Sequence, residues 1–108
     1  KIRIILGAFV MYPSITVGEL AEKLRNESIT ILDVQEKEDF EKNHIDGAIN
    51  LPIGEFVTEA ENLPKNKTYY VISKAGIRNA RACDYLVSLD YDVVNIQGGM
   101  NAWQSTEG

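Results

Sequence analysis

The residues best placed to do chemistry lie in one short stretch, Ser73-Lys74-Ala75-Gly76-Ile77-Arg78. It follows the β-branched and aromatic run Thr68-Tyr-Tyr-Val-Ile72 and precedes a segment of helical period. A strand that passes through a tight loop into a helix N-terminus is suited to holding an anion, because loop amides and the helix dipole converge on one point. Gly76 permits the positive φ such a curl requires. Arg78 adds a permanent charge and a fork of N–H donors, and Lys74 stands at the rim, where a solvated lysine is the simpler reading. The competing account of the whole stretch is an ordinary strand-to-helix turn, with Gly76 there for geometry and Arg78 in water. Ser73 heads the loop, and a hydroxyl is a poor nucleophile without a neighbouring base.

Few other side chains compete for a chemical role. Cys83, the single cysteine, lies in register with Ala80 and Val87 on the predicted helix, which points to core packing. His44 is the single histidine, and its ordinary pKa would suit a general base. Asp33 ends a predicted strand, where capping and loop anchoring are the usual work of a carboxylate. One histidine and one cysteine cannot furnish a structural zinc site, so no metal is expected. Gly98-Gly99 lacks the third glycine and the following acidic residue of a dinucleotide fingerprint, and no cofactor is expected either.

The elements that must position these residues alternate between strand and helix, which argues for a parallel α/β sheet. Thr16-Val-Gly-Glu19 has capping-box spacing, and Leu20, Ala21 and Leu24 then mark the apolar face of a helix from about Val17 to Arg25. Ile29 to Asp33 reads as a buried strand, Glu36 to Asn43 as a charged short helix anchored on Phe40, and Ala48 to Leu51 as a short strand stopped by Pro52. A helical stretch is expected around Phe56 to Asn62. Thr68 to Ile72 is the strongest strand and should be central, with Tyr69 and Tyr70 facing opposite sides. Ala80, Ala82, Cys83, Leu86, Val87 and Leu89 recur at helical spacing, Tyr91 to Ile96 is the last strand, and Met100 to Gln104 closes the chain with Trp103 as a core lid.

Composition sets the outer limits. The 108 residues, 44% of them hydrophobic, suffice for one domain and no second. A net charge of −5 argues against nucleic acid, whose phosphates need a basic face. Residues 1–11 begin basic and turn apolar but are too short to span a bilayer, so no membrane partner is expected. They read as a leader, as residues appended ahead of the domain, or as an extra strand, with residues 12–108 as the domain. A lone cysteine fits a reducing, cytoplasmic setting.

Asp33-Val34, Phe40, His44-Ile45-Asp46-Gly47-Ala48-Ile49-Asn50-Leu51-Pro52, the Ser73 to Arg78 loop and Gly98-Gly99-Met100-Asn101-Ala102-Trp103 together resemble the signatures of the rhodanese family in order and spacing. The likeness runs from about Ser14 to Trp103. It implies a rhodanese-like α/β fold, a five-stranded parallel sheet with helices on both faces, and a pocket built by the loop after the fourth strand. It gives His44 a structural role in the turn entering the third strand and makes Gly98-Gly99 the family's final turn. Four residues separate Ser73 from Arg78, as in the sulfur-transfer members; related phosphatases of the fold have one more.

The first loop position in that family is a cysteine that takes a sulfane sulfur, becomes a persulfide and passes the sulfur on. Here it is Ser73, and serine cannot form a persulfide. The resemblance therefore implies the sulfurtransferase class, with Arg78 and the loop amides holding a small sulfur anion such as thiosulfate or receiving a persulfide-carrying protein, but no turnover by the chain as written. The alternative is a non-catalytic anion- or protein-binding module on the same fold. Gln35, Asn43, Asp46 and Asn79 also depart from the usual Arg, Gly, Pro and Ser. Natural divergence and a laboratory Cys→Ser replacement both account for Ser73.

Overall fold

A computed structural model describes residues 4–6 and 9–107, with side chains described for 12–104. Residues 1–3, 7, 8 and 108 lie outside the described residues, and with them part of the stretch read as a leader or extra strand. Within that stretch, β1 (Ile4–Leu6) and β2 (Phe9–Met11) form a two-stranded antiparallel pair separate from the main sheet.

The main sheet consists of β3 (Ser14–Ile15), β4 (Thr30–Asp33), β5 (Ile49–Asn50), β6 (Thr68–Ile72) and β7 (Asp92–Ile96) in the order β3-β7-β6-β4-β5. Each pairing is parallel. The strand with the strongest sequence signal, β6, is the central one. β3 has no sequence signature because two residues carry no periodicity. It is set by its ladder to β7, where the Asn95 amide donates to the Pro13 carbonyl at 2.8 Å and the Gln97 amide to Ile15 at 2.9 Å.

Helices cover both faces. α1 (Val17–Asn26) starts at the capping box its spacing predicts, with the Glu19 amide donating to Thr16 Oγ1 at 3.1 Å and the Thr16 amide to the Glu19 carboxylate at 2.8 Å. Thr16→Ala should therefore cost about 1 kcal/mol, read as a lower urea midpoint at unchanged slope. α2 is Lys37–Lys42. The helical stretch expected around Phe56 to Asn62 is broken into a 3₁₀ turn (Ile53–Glu55), α3 (Phe56–Glu59) and a second 3₁₀ turn (Ala60–Asn62). α4 is Asn79–Ser88, and α5 (Gly99–Glu107) runs longer than its sequence pattern suggests.

Two apolar layers hold the sheet between these helices. Leu32, Val71, Tyr69 and Val93 pack with Phe56, Ala60, Ala82, Cys83, Leu86 and Val87 on one side. Ile31, Tyr70, Ile72, Val94 and Ile96 pack with Leu20 and Met100 on the other, and Leu24 and Trp103 close its edge. Strand alternation thus sends Tyr69 and Tyr70 to opposite layers. Tyr91, read from sequence as the first residue of the last strand, instead precedes β7. Its hydroxyl donates to the carbonyls of Ala60, at 2.8 Å, and Leu63, at 2.6 Å, clamping the second 3₁₀ turn.

Candidate active site

The strand order creates the site. From β4 the chain leaves through α2 to β5 on one side, and from β6 it leaves through α4 to β7 on the other. Between these neighbouring strands the two loops diverge at their carboxyl ends, and a crevice opens at this switch point. A cavity of about 470 Å³ occupies it, lined by Gln35, Glu36 and Asp39 from one side and by Ser73, Lys74, Ala75, Ile77 and Arg78 from the other.

The loop is wound around its first side chain. Gly76 adopts φ +84°, and its amide donates to Ser73 Oγ at 2.9 Å. Ser73 is 1% exposed, so its hydroxyl is an element of the loop's own hydrogen bonding. The Gly98-Gly99 turn is the seat on which this loop rests. The Met100 amide donates to the Ser73 carbonyl at 2.8 Å and the Asn101 amide to Lys74 at 2.9 Å, so two N-terminal amides of α5 are satisfied by loop carbonyls. A Cβ on Gly76 would lie 2.9 Å from the Gly98 nitrogen. Sequence reasoning placed these glycines in a turn and missed that they touch the loop; the paired glycines ahead of a helix were the available signal.

Asn79, noted from sequence only as a departure from the family pattern, joins three elements. It is 1% exposed at the start of α4, and its Nδ2 donates at 2.8 Å to both Val71 of β6 and Ile96 of β7. This fixes the helix N-terminus beneath the loop.

The loop's two cations are engaged across the crevice. Arg78 lies one residue before α4, half-exposed, with Nη1 3.2 Å from the Glu36 carboxylate. Lys74 Nζ is 3.5 Å from Asp39. Glu36 and Asp39 thus face the loop's two cations from the opposite wall, and Arg78, half-exposed, is not left to water alone. Ile77 is 82% exposed at the rim.

Asp33 and His44 lie outside the crevice lining. Asp33 is fully buried at the end of β4, where its carboxylate accepts from the Gln35 amide at 2.9 Å and from Gln35 Nε2 at 3.0 Å. Gln35 Nε2 also donates to Asn43 at 3.2 Å, and Asn50 Nδ2 donates to the carbonyls of Asp33 and Gln35, each at 3.0 Å. Burial raises the Asp33 pKa above its ordinary value, against the opposing hydrogen bonds from Gln35 and the smaller influence of His44. A carboxyl with a raised folded-state pKa adds stability below its unfolded pKa and loses it as pH rises through the folded one. Asp33→Asn should remove that slope: between pH 3.5 and 7, the unfolding free energy of the parent minus that of the variant should fall as pH rises. A difference that is flat or rises with pH would contradict the assignment.

His44 Nδ1–H donates to the Phe40 carbonyl at 2.7 Å, and its ring stacks on Phe40 at 3.9 Å between centroids. It borders a second cavity of about 340 Å³ together with Asn43, Ile45, Asp46, Trp103 and Gln104, away from Ser73. Trp103 is half-buried against the layer containing Leu20 and Met100. Cys83 is fully buried in the opposite layer, and burial, with a smaller push from Asp84, moves its thiol up to about 12. It is a packing residue kept in the thiol form.

Known proteins share this fold. Residues 16–106 match the family model described as a rhodanese-like domain. A protein of Bacillus subtilis named putative sulfurtransferase YtwF is 33% identical over 91 residues, covering 83% of this chain and 88% of its own length. The thiosulfate sulfurtransferase GlpE of Shewanella oneidensis is 28% identical, with 85% and 92% of the two chains covered. Among solved structures, a rhodanese-like domain protein from Staphylococcus aureus superposes with a TM-score of 0.79 at 34% identity, over 84% of this chain and 90% of its own. A rhodanese-related protein from Thermoplasma volcanium gives 0.81 at 33% identity, over 88% and 93%. Among the described residues no helix is long and apolar enough to cross a membrane. With the family model matching residues 16–106 and relatives above 30% identity aligned over most of both chains, this chain belongs to the rhodanese-like domain family.

Proposed function

We propose that the Ser73–Arg78 loop is a sulfur-transfer site in which position 73 is the sulfur acceptor, and that the chain as written is inactive because Ser73 stands there. The observation that carries this reading is the hydrogen bond from the Gly76 amide to Ser73 Oγ. The loop aims a backbone donor at the heteroatom of residue 73, the interaction that would stabilise a thiolate or a persulfide at that position. Neither His44, turned to Phe40, nor Asp33, enclosed by Gln35, is placed to activate the Ser73 hydroxyl, while Glu36 and Asp39 are paired with Arg78 and Lys74. Sulfur donors of the class implied are thiosulfate and persulfides, small or protein-borne, and the lone cysteine suits a reducing, cytoplasmic setting.

The test is thiocyanate formation from cyanide, with thiosulfate or a small alkyl persulfide as donor, by the chain as given and by Ser73→Cys. Turnover by the cysteine variant alone is the expected result. Absence of turnover in a folded Ser73→Cys with both donors would reject the reading.

A second reading is favoured by Ser73 itself: a binding module that receives an anion or a persulfide-bearing protein without reacting. It requires the chain as given to bind such a ligand in calorimetry. No heat with any sulfur oxyanion, and no capture of a persulfide-bearing protein, would remove it.

A further inference from the structure

Thiosulfate and a persulfide differ in charge, and the crevice is built in a way that distinguishes them. Its described lining contains two cations, Lys74 and Arg78, and two carboxylates, Glu36 and Asp39, each within 3.5 Å of one of those cations. The carboxylates come from the opposite wall, from the residue before α2 and from its first turn, so they sit in the space an incoming donor must share. The lining therefore offers no net side-chain charge. What remains attractive to an anion is the start of α4 and the loop amides, and of these the Gly76 amide already points at residue 73. The rim residue Ile77 is 82% exposed and adds apolar surface beside the opening.

We infer that Glu36 and Asp39 are specificity-determining residues that set this crevice against a dianion such as thiosulfate and toward a singly charged alkyl or protein-borne persulfide. The inference rests on the sulfur-transfer reading of the loop and names the donor class of that same site. The reason is Coulombic. A carboxylate about 6 Å from a dianion repels it twice as strongly as it repels a monoanion. Each carboxylate also competes with the donor for the guanidinium or ammonium group it holds. These ion pairs are largely exposed, so they are weak enough to open, yet an anion must displace them to enter.

With a persulfide donor the reaction at position 73 would be simple exchange. In Ser73→Cys, the singly charged donor R–S–S⁻ takes a proton from water, the thiolate attacks the outer sulfur of the resulting R–S–SH, a new S–S bond forms as the donor's S–S bond breaks, and R–S⁻ leaves. The enzyme holds the sulfane sulfur as a persulfide, with no external oxidant or reductant required.

The test separates this inference from the functional reading by measuring equilibrium binding to the unreactive chain. Thiosulfate is titrated calorimetrically, at low ionic strength, into the chain with Ser73 retained and into its Glu36→Gln/Asp39→Asn variant. Both substitutions lie on exposed or half-exposed positions and preserve side-chain shape. The double variant should bind thiosulfate at least about fivefold more tightly, and the gain should shrink as salt is added. In the Ser73→Cys background the same pair of changes should lower the KM for thiosulfate by a similar factor while moving that for hydroxyethyl persulfide by less than about twofold. Equal or weaker thiosulfate binding by the double variant, including no detectable binding at all, would overturn the inference. A parallel gain for both donors would do the same. The binding outcome is read on the unreactive chain and does not depend on whether Ser73→Cys turns over, so failure of the inference and failure of the functional reading are distinguishable.

Discussion

Ser73→Cys should raise sulfur transfer to cyanide from the background of the chain as given by at least about a thousandfold, since loss of a catalytic nucleophile in other enzymes costs that much or more. The physical case rests on what surrounds residue 73. The Gly76 amide lies 2.9 Å from its Oγ, and the start of α4 lies directly behind the loop. Both favour a negative sulfur over a neutral thiol, which is the condition for attack at neutral pH. In the reaction the thiolate attacks the outer sulfur of thiosulfate, the S–S bond breaks and sulfite departs with its electron pair. Cyanide then takes the sulfur from the enzyme persulfide, and thiocyanate leaves with the thiolate restored. Serine retains nearly the same shape but cannot enter this cycle. The measurement is thiocyanate release under identical conditions for the two chains, with circular dichroism confirming that both are folded. If the cysteine variant stays at background with either donor, the departures at Gln35 and Asn79 have removed the activity along with the thiol.

Gly99→Ala should be the most damaging single-methyl addition near the site. Gly99 holds φ +63°, and a Cβ there would lie 2.5 Å from the Ser73 carbonyl oxygen and 2.7 Å from both the Gly76 nitrogen and the Lys74 carbonyl oxygen. All three are backbone atoms of the loop, so the clash cannot be relieved by turning a side chain. The left-handed conformation adds its own strain for alanine. Together these effects should cost about 2–4 kcal/mol and lower the melting temperature by roughly 10 °C or more. Gly54→Ala is the control: a Cβ there meets nothing within 4 Å, and its effect on melting should be small. A Gly99→Ala protein that melts with the parent would show that the loop and the α5 turn are not in rigid contact. In the Ser73→Cys background the same change should depress turnover beyond its effect on stability, because it displaces the amide aimed at residue 73.

How far these positions could be found without coordinates depends on the range of the interaction involved. The alternation of strand and helix, the capping box at Thr16, the central place of Thr68–Ile72 and the burial of Cys83 follow from patterns within a few residues, and the structure has each of them. The loop itself was legible because strand, glycine and arginine are contiguous, and the family resemblance extended that reading to the fold. By sequence alone this protein is therefore a rhodanese-like α/β chain with Ser73 at the position where the resemblance implies a thiol.

The tertiary structure decided what faces that hydroxyl. Glu36 and Asp39 lie more than thirty residues before the cations they meet, Gly98-Gly99 begins twenty residues after the loop it supports, and Asn79 ties together strands on either side of it in the chain. None of these contacts has a periodicity, because each is imposed by the order β3-β7-β6-β4-β5, which sends α2 and α4 away from neighbouring strands and opens the crevice between them. Local pattern records which face of an element is apolar; only the assembled sheet brings charges from separate loops within Coulombic reach of one another.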